Sequence, residues 1–293
     1  MTPESRYLLD IAERNAAALV AADPNITAVL LIGSVARGEA DRYSDIDCAV
    51  YYRETVAASR FEALRDAALA TGGGMHGRGD AESGFVLYAY ADGVRCDFAH
   101  TTVANWNRDV AAVLERCEAD SPYQKVLGGV LEGLPLYGEE VCRELKEAAR
   151  AYPDGLAKAM VEAHLRFWPP SVMRRMMAGR GDALWLRESL LAALNAVIGM
   201  LLGVNRIYHW GEIKRQDAFL DRLSVAPPDL PARVRRLVSL PTGDAAINEV
   251  GALLEETLAL VEAHLPEADV AAARARLGRT LEPWDMPAFD AVS

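Results

Sequence analysis

LLIGSVARGEADRYSDIDCAVYY, Leu30 to Tyr52, sets two apolar runs of strand length on either side of a polar turn, and the fold follows from how they are joined. The first run, AVLLI over 28–32, reads as a buried strand. It meets Gly33-Ser34, after which SVARGEA has the composition of a short helix. Glycine lets a backbone come close to a ligand, and a helix start presents free N–H groups to an anion, so this junction suits a polyphosphate. Eleven residues after Ser34, DIDCAVYY (45–52) opens as a second strand. Asp45 and Asp47 stand at i and i+2, which on a strand point to one face, while Ile46, Cys48 and Val50 take the other. Two divalent ions roughly 3.5–4 Å apart need carboxylates that converge in this way from one surface.

The flanking sequence extends the pattern. Glu4 to Ala22 has helical spacing, and another helix is expected from about Val56 to Ala70. TGGGMHGRGD (71–80) is rich in glycine and reads as a surface loop near the site. GFVLYAYA (84–91) and VRCDFAH (94–100) are strands joined by Asp92-Gly93, a hairpin signal because both turn positions need positive φ. In VRCDFAH the apolar side is Val94, Cys96 and Phe98, which sends Asp97 and Arg95 to the other face. Asp97 is the third carboxylate that a metal site would use, and His100, at the strand end, reads as ordinary structure. Beyond Asp120 the spacing is nearly all helical, as in DALWLRESLLAALNAVIGMLLG and AAINEVGALLEETLALVEAHL, with breaks at Pro169-Pro170 and in SVAPPDLP. The expected fold is α+β: a domain over 1–120 with a mixed sheet flanked by helices, then a helical bundle domain over 121–293.

Composition narrows the function. The 293 residues, 51% hydrophobic and 25% charged, are enough for one large core or two modest ones. A net charge of -11 disfavours broad nucleic-acid binding, which works through a basic stripe. The acidity is concentrated early. Through Asp120 there are 11 arginines and no lysine against 19 acidic residues, a net of -8, and the remainder carries 20 basic against 23 acidic residues, a net of -3. Such a surface suits cationic ligands as well as simple solubility. There is no run of about 18 or more apolar residues, and MTPESRYLLDIAERN lacks the apolar core of a signal peptide, so a soluble, cytoplasmic protein with no membrane role is expected. Cys48, Cys96, Cys117 and Cys142 show neither CxxC pairing nor zinc-site spacing with histidine.

Two apparent motifs fail on context. Gly33 to Gly38 has P-loop spacing, but Glu39-Ala40 stand where Lys and Ser or Thr are required. Gly72 to Gly77 matches GxGxxG, yet it follows a helix and leads into a strand. Farther on, Asp182, Trp185 and Glu188 share a helix face that could receive a polycationic sugar, and an amphipathic boundary explains them equally well.

The segment from Leu31 to Tyr52 resembles the signature of the polymerase-beta-type nucleotidyltransferases, in which a GS or GG turn is followed after roughly ten residues by an acid pair. More narrowly, the plan is similar to the aminoglycoside and lincosamide nucleotidyltransferases, which place a helical domain after the catalytic one. GVNRIYHWGEIKRQDAFLDRL is similar to a segment of the streptomycin/spectinomycin-type adenylyltransferases in which a lysine reaches the nucleotide phosphates, and Lys214 matches it. The resemblance implies that Asp45 and Asp47 hold Mg²⁺, that Gly33 and Ser34 grip the β and γ phosphates, and that Asp97 either completes the metal site or takes the proton of the attacking hydroxyl. Arg37 and Arg42 become candidates for phosphate contact. The implied reaction moves a nucleoside monophosphate, AMP from ATP, to a small hydroxylated acceptor, with antibiotic resistance as the expected role. The alternative is an antitoxin-like or regulatory nucleotidyltransferase acting on a protein or RNA partner, against which the long helical part after residue 120 argues. Nothing in the sequence decides the oligomeric state.

Overall fold

The computed structural model describes residues 1–209, 211–239 and 243–282. They form two compact units, one of Met1–Pro153 with Tyr208, His209 and Gly211, the other of Asp154–Ile207 with the described residues from Glu212 onward.

The first unit begins with α1 (Pro3–Ala22). Thr2 caps it, its Oγ1 accepting the Ser5 N–H at 3.0 Å, and Pro3 sits in the first turn, where no donor is needed. Leu8, Ile11, Ala12 and Ala16 recur at helical spacing and are buried against the sheet. The rest of the unit runs β1 (Ile26–Ile32), α2 (Gly33–Ala36), β2 (Ile46–Tyr52), α3 (Ala58–Ala70), β3 (Gly74–Asp80), β4 (Gly84–Ala91), β5 (Val94–Thr102), α4 (Val103–Leu114), α5 (Tyr123–Glu132), β6 (Leu134–Tyr137) and α6 (Glu139–Arg150). The six strands form one mixed sheet in the order β3-β4-β5-β2-β1-β6, in which β2 and β5 are parallel and the other neighbours antiparallel. One face packs Ile26, Val29, Leu31, Cys48, Val50, Cys96 and Phe98 into a core with α1. On the other face α5 comes close to β1, and at its end Gly133 leaves room for Leu30, whose Cγ a Cβ would meet at 2.7 Å.

The α+β fold is the one expected, with three differences of detail. The glycine-rich stretch 71–80 is largely β3, an edge strand, because its backbone pairs with β4 whatever the side chains are. A register shift between His76 and Asp80, with Gly77 at φ +63°, bends it. LPLY (134–137) is a sixth strand, too short and too interrupted by its own Pro135 for a period to show, and it closes the opposite edge on β1. Through β6 and α6 the sheet-bearing unit runs on to Pro153, past the change of character near residue 120. The hairpin turn is as expected: Asp92 and Gly93 both have positive φ, 52° and 76°.

The second unit is helical, with α7 (Asp154–Ala163), α8 (Pro170–Val172), a π turn and a 3₁₀ turn to Arg180, α9 (Ala183–Val204), α10 (Gln216–Leu220), α11 (Leu230–Ser239), α12 (Asp244–His264) and α13 (Ala271–Leu277). α9 is long and apolar enough to cross a membrane, but 67% of its most apolar window is buried in the protein, as suits a core helix. It lies tightly on α7: a Cβ at Gly199 would fall on the His164 ring, and one at Gly203 would lie 2.8 Å from the Ala157 carbonyl oxygen.

Candidate active site

Strand register builds the site as a row across the sheet. Ile32 of β1 pairs with Asp47 of β2, Asp47 with Asp97 of β5, Asp97 with Tyr88 of β4, and Tyr88 with Gly74 of β3. Residues paired across a ladder share a face, so Asp47 and Asp97 must be neighbours. Asp45 enters just ahead of β2, delivered by a turn in which the Asp41 carboxylate accepts the Tyr43 N–H at 2.9 Å and Ser44 Oγ accepts the Asp41 N–H at 3.0 Å. One carboxylate oxygen from each of Asp45, Asp47 and Asp97 lies within 4.8 Å of the others, and none of the three residues is buried. Oxygens gathered this closely on one open face can be drawn onto a single Mg²⁺ by side-chain rotation or can share a pair of ions, so the three carboxylates fit a divalent cation.

Gly33 fixes the near wall. Its φ is +73°, and a Cβ built on it would stand 2.6 Å from Oδ2 of Asp47. The backbone passes the carboxylate so closely that only glycine fits both the space and the dihedral angle. Ser34 follows in the first turn of α2.

Arg95 meets the third of these carboxylates, Asp97. Its Nε donates to Asp97 Oδ1 at 2.9 Å and a terminal nitrogen to Oδ2 at 3.3 Å, a fork that fits a carboxylate plane. The guanidinium lies over the Tyr88 ring, 4.6 Å from its centroid, and touches His76 Nε2. His76 Nε2 is itself 3.5 Å from Asp97 Oδ2. The hydrogen bond to Asp97 raises the Arg95 pKa above its already high ordinary value, with Asp45 adding to the effect. His76 was hidden in the sequence by the glycines around it. Arg95 was visible on the Asp97 face, but its fork was not.

The reverse face is closed over. His100 is 3% exposed, shares a hydrogen bond with Tyr52 Oη through Nδ1 at 2.9 Å and stacks on Phe85 at 4.5 Å. Burial pushes its pKa down to about 3, so it is neutral at physiological pH. Burial likewise raises the thiols of Cys48, and of Cys96 to about 11, which leaves them unreactive.

The other sequence candidates are placed as follows. Arg37 follows the last residue of α2 and reaches Glu39 at 3.0 Å and Glu132 of α5 at 3.3 Å. Lys214 lies two residues before α10, in the other unit. Asp182 stands at the start of α9, and Trp185 meets Trp168 edge to face at 6.1 Å.

Residues 15–72, from α1 to just past α3, match the family described as the nucleotidyltransferase domain. The matched span holds Gly33, Ser34, Asp45 and Asp47, and this likeness assigns the protein to the transferases by class. Among solved structures it is similar to a nucleotidyltransferase-like protein from Exiguobacterium sibiricum 255-15, at 15% identity and a TM-score of 0.42 over 87% of this chain and 77% of that one. No curated protein matches the sequence.

Proposed function

We propose that the protein is a Mg²⁺-dependent nucleotidyltransferase that moves a nucleoside monophosphate, AMP from ATP, onto a hydroxyl of a small acceptor and releases pyrophosphate. The observation that carries this reading is the convergence of Asp45, Asp47 and Asp97 within 4.8 Å beside the Gly33 approach. Asp45 and Asp47 would hold the ion, with Asp97 beside them. When bound, Mg²⁺ supplies positive charge to the triphosphate oxygens and stabilises the charge that develops on the leaving group. Gly33 lets the triphosphate lie against bare backbone, and Ser34 offers a hydroxyl donor and an N–H to its outer phosphates. The acceptor oxygen bonds to the α-phosphorus as the bond from that phosphorus to the bridging oxygen breaks, and pyrophosphate carries the electron pair away.

Asp97 serves as a ligand-side carboxylate, with the acceptor proton passing to it or to water. Support comes from the strand register, which sets Asp97 beside Asp47, and from the Arg95 fork, which fixes the orientation of the Asp97 carboxylate. Lys214 is proposed as a further phosphate contact. Aminoglycosides and lincosamides are the proposed acceptors, on the acidity of the first 120 residues, and an antibiotic-modifying role in the cytoplasm follows from that choice.

The test is pyrophosphate release with Mg²⁺, each nucleoside triphosphate and a panel of hydroxylated antibiotics, with Asp45→Asn and Asp47→Asn as controls. Turnover that survives either substitution removes the metal assignment. Triphosphate binding without release for any small acceptor would transfer the reading to a protein or RNA acceptor.

A further inference from the structure

We propose that the helical unit binds a small organic anion, a carboxylate or phosphate on a flat apolar body, in a cleft walled by Phe167, Trp168 and Pro169 and rimmed by Arg166, Arg276 and Arg279. All six residues belong to the unit that begins at Asp154, and the site is independent of nucleotidyl transfer. The cleft has a volume of about 420 Å³, in the range of pockets that take small ligands.

The wall and the rim ask for different parts of such a ligand. Phe167 is buried beneath the cleft, while Trp168 is 49% exposed, its ring set by the edge-to-face contact with Trp185. Val172 and Ala192 complete the apolar lining. An exposed indole beside further apolar surface is a place where a flat body removes area from water.

The rim stands out by its charge. Several other arginines of this unit are matched to carboxylates: Arg174 to Asp244, Arg233 to Glu249 and Glu256, Arg274 to Glu255 and Glu262. Among the described residues, Arg166 and Arg279 have no acidic group within ion-pair distance, and Arg276 donates only to the Leu165 carbonyl oxygen, at 3.0 Å. Ser171 holds the Arg279 backbone through its carbonyl oxygen. In a chain of net charge -11 with acidic residues in excess, three guanidinium groups around one apolar cleft and no carboxylate among them leave the anion to be brought by a ligand. The cleft therefore selects a charge opposite to the polycation that Asp182, Trp185 and Glu188 suggested in sequence.

Calorimetric titration of the full chain tests this with 1-naphthoate, with 1-naphthalenemethanol as its neutral analogue and inorganic phosphate as an anion without a body. Saturable naphthoate binding is expected, with the neutral analogue weaker by about tenfold or more. Arg166→Gln and Arg279→Gln should each weaken naphthoate severalfold without lowering the melting temperature, since neither side chain holds a structural partner. Trp168→Leu should weaken both naphthyl compounds. The proposal is overturned if naphthoate does not saturate, if it and its neutral analogue bind equally, or if both arginine variants bind it as the parent does. Phosphate alone binding as tightly as naphthoate would overturn the part played by the apolar wall.

Discussion

Asp97 and His100 stand three residues apart on β5, each with a hydrogen-bond partner, and strand alternation puts them on opposite faces of the sheet. Asp97 shares its face with Asp45, Asp47 and Arg95 and stays open to water. His100 is enclosed by Tyr52 and Phe85 and kept neutral. The difference teaches that residue type alone does not make a site: a carboxylate gains chemistry where the sheet face is left uncovered, and a titratable ring loses it where the core closes over it.

The largest effect should come from the open face. Asp47→Asn keeps the shape and removes one charge from the cluster, and pyrophosphate release should fall on the order of a thousandfold, measured in steady state at saturating Mg²⁺. A loss of only a fewfold would make the two faces chemically alike. Gly33→Ala comes next. The new methyl would displace the Asp47 carboxylate, so turnover should drop by about a hundredfold. Stability should fall by only about 1–2 kcal/mol in urea, the cost of a positive φ in a residue with a Cβ.

Arg95→Gln sharpens the comparison within the open face. The fork on Asp97 is lost, and activity should fall by about tenfold with a raised requirement for Mg²⁺. Because the pair is partly exposed and screened, its loss should leave the melting temperature nearly unchanged. The smallest effect belongs to the closed face and appears only as a pH dependence. The folded His100 pKa lies below its unfolded value of about 6.5. Below pH 6.5 the unfolded chain therefore takes up a proton that the folded chain refuses, and stability falls as pH is lowered toward 3, by up to about 1.4 kcal/mol per pH unit. His100→Gln should flatten this slope in urea titrations between pH 6.5 and 4, while activity at neutral pH is retained. An unchanged slope would mean that the ring is not held neutral.

Much of the open face was legible in the sequence alone. The GS junction, the i, i+2 acid pair and the alternation of VRCDFAH each rest on local backbone geometry, which a sequence displays directly. What escaped was set by pairing at a distance. β3 is a strand because β4 lies beside it, and its glycines concealed His76. β6 needed β1 to show itself, and with it the unit continued past residue 120 to Pro153. The pairing of Arg37 with Glu132, 95 residues away on α5, was equally hidden. Tertiary neighbours of that kind leave no local period.

The parallel pairing of β2 with β5 also carries a consequence for how the protein comes into being. Parallel neighbours need a long crossover, and here α3, β3 and β4 lie between them, so Asp47 and Asp97 are 50 residues apart when they meet. Closing such a loop is entropically costly and slow compared with forming a hairpin. A nascent chain that has emerged as far as Tyr90 holds the GS turn and the first two carboxylates but has no third, and only the docking of β5 along β2 completes the set. Loss of that one pairing would dismantle the cluster while β1 and β2 remained a hairpin-like pair, so the carboxylate cluster is complete only once the sheet is.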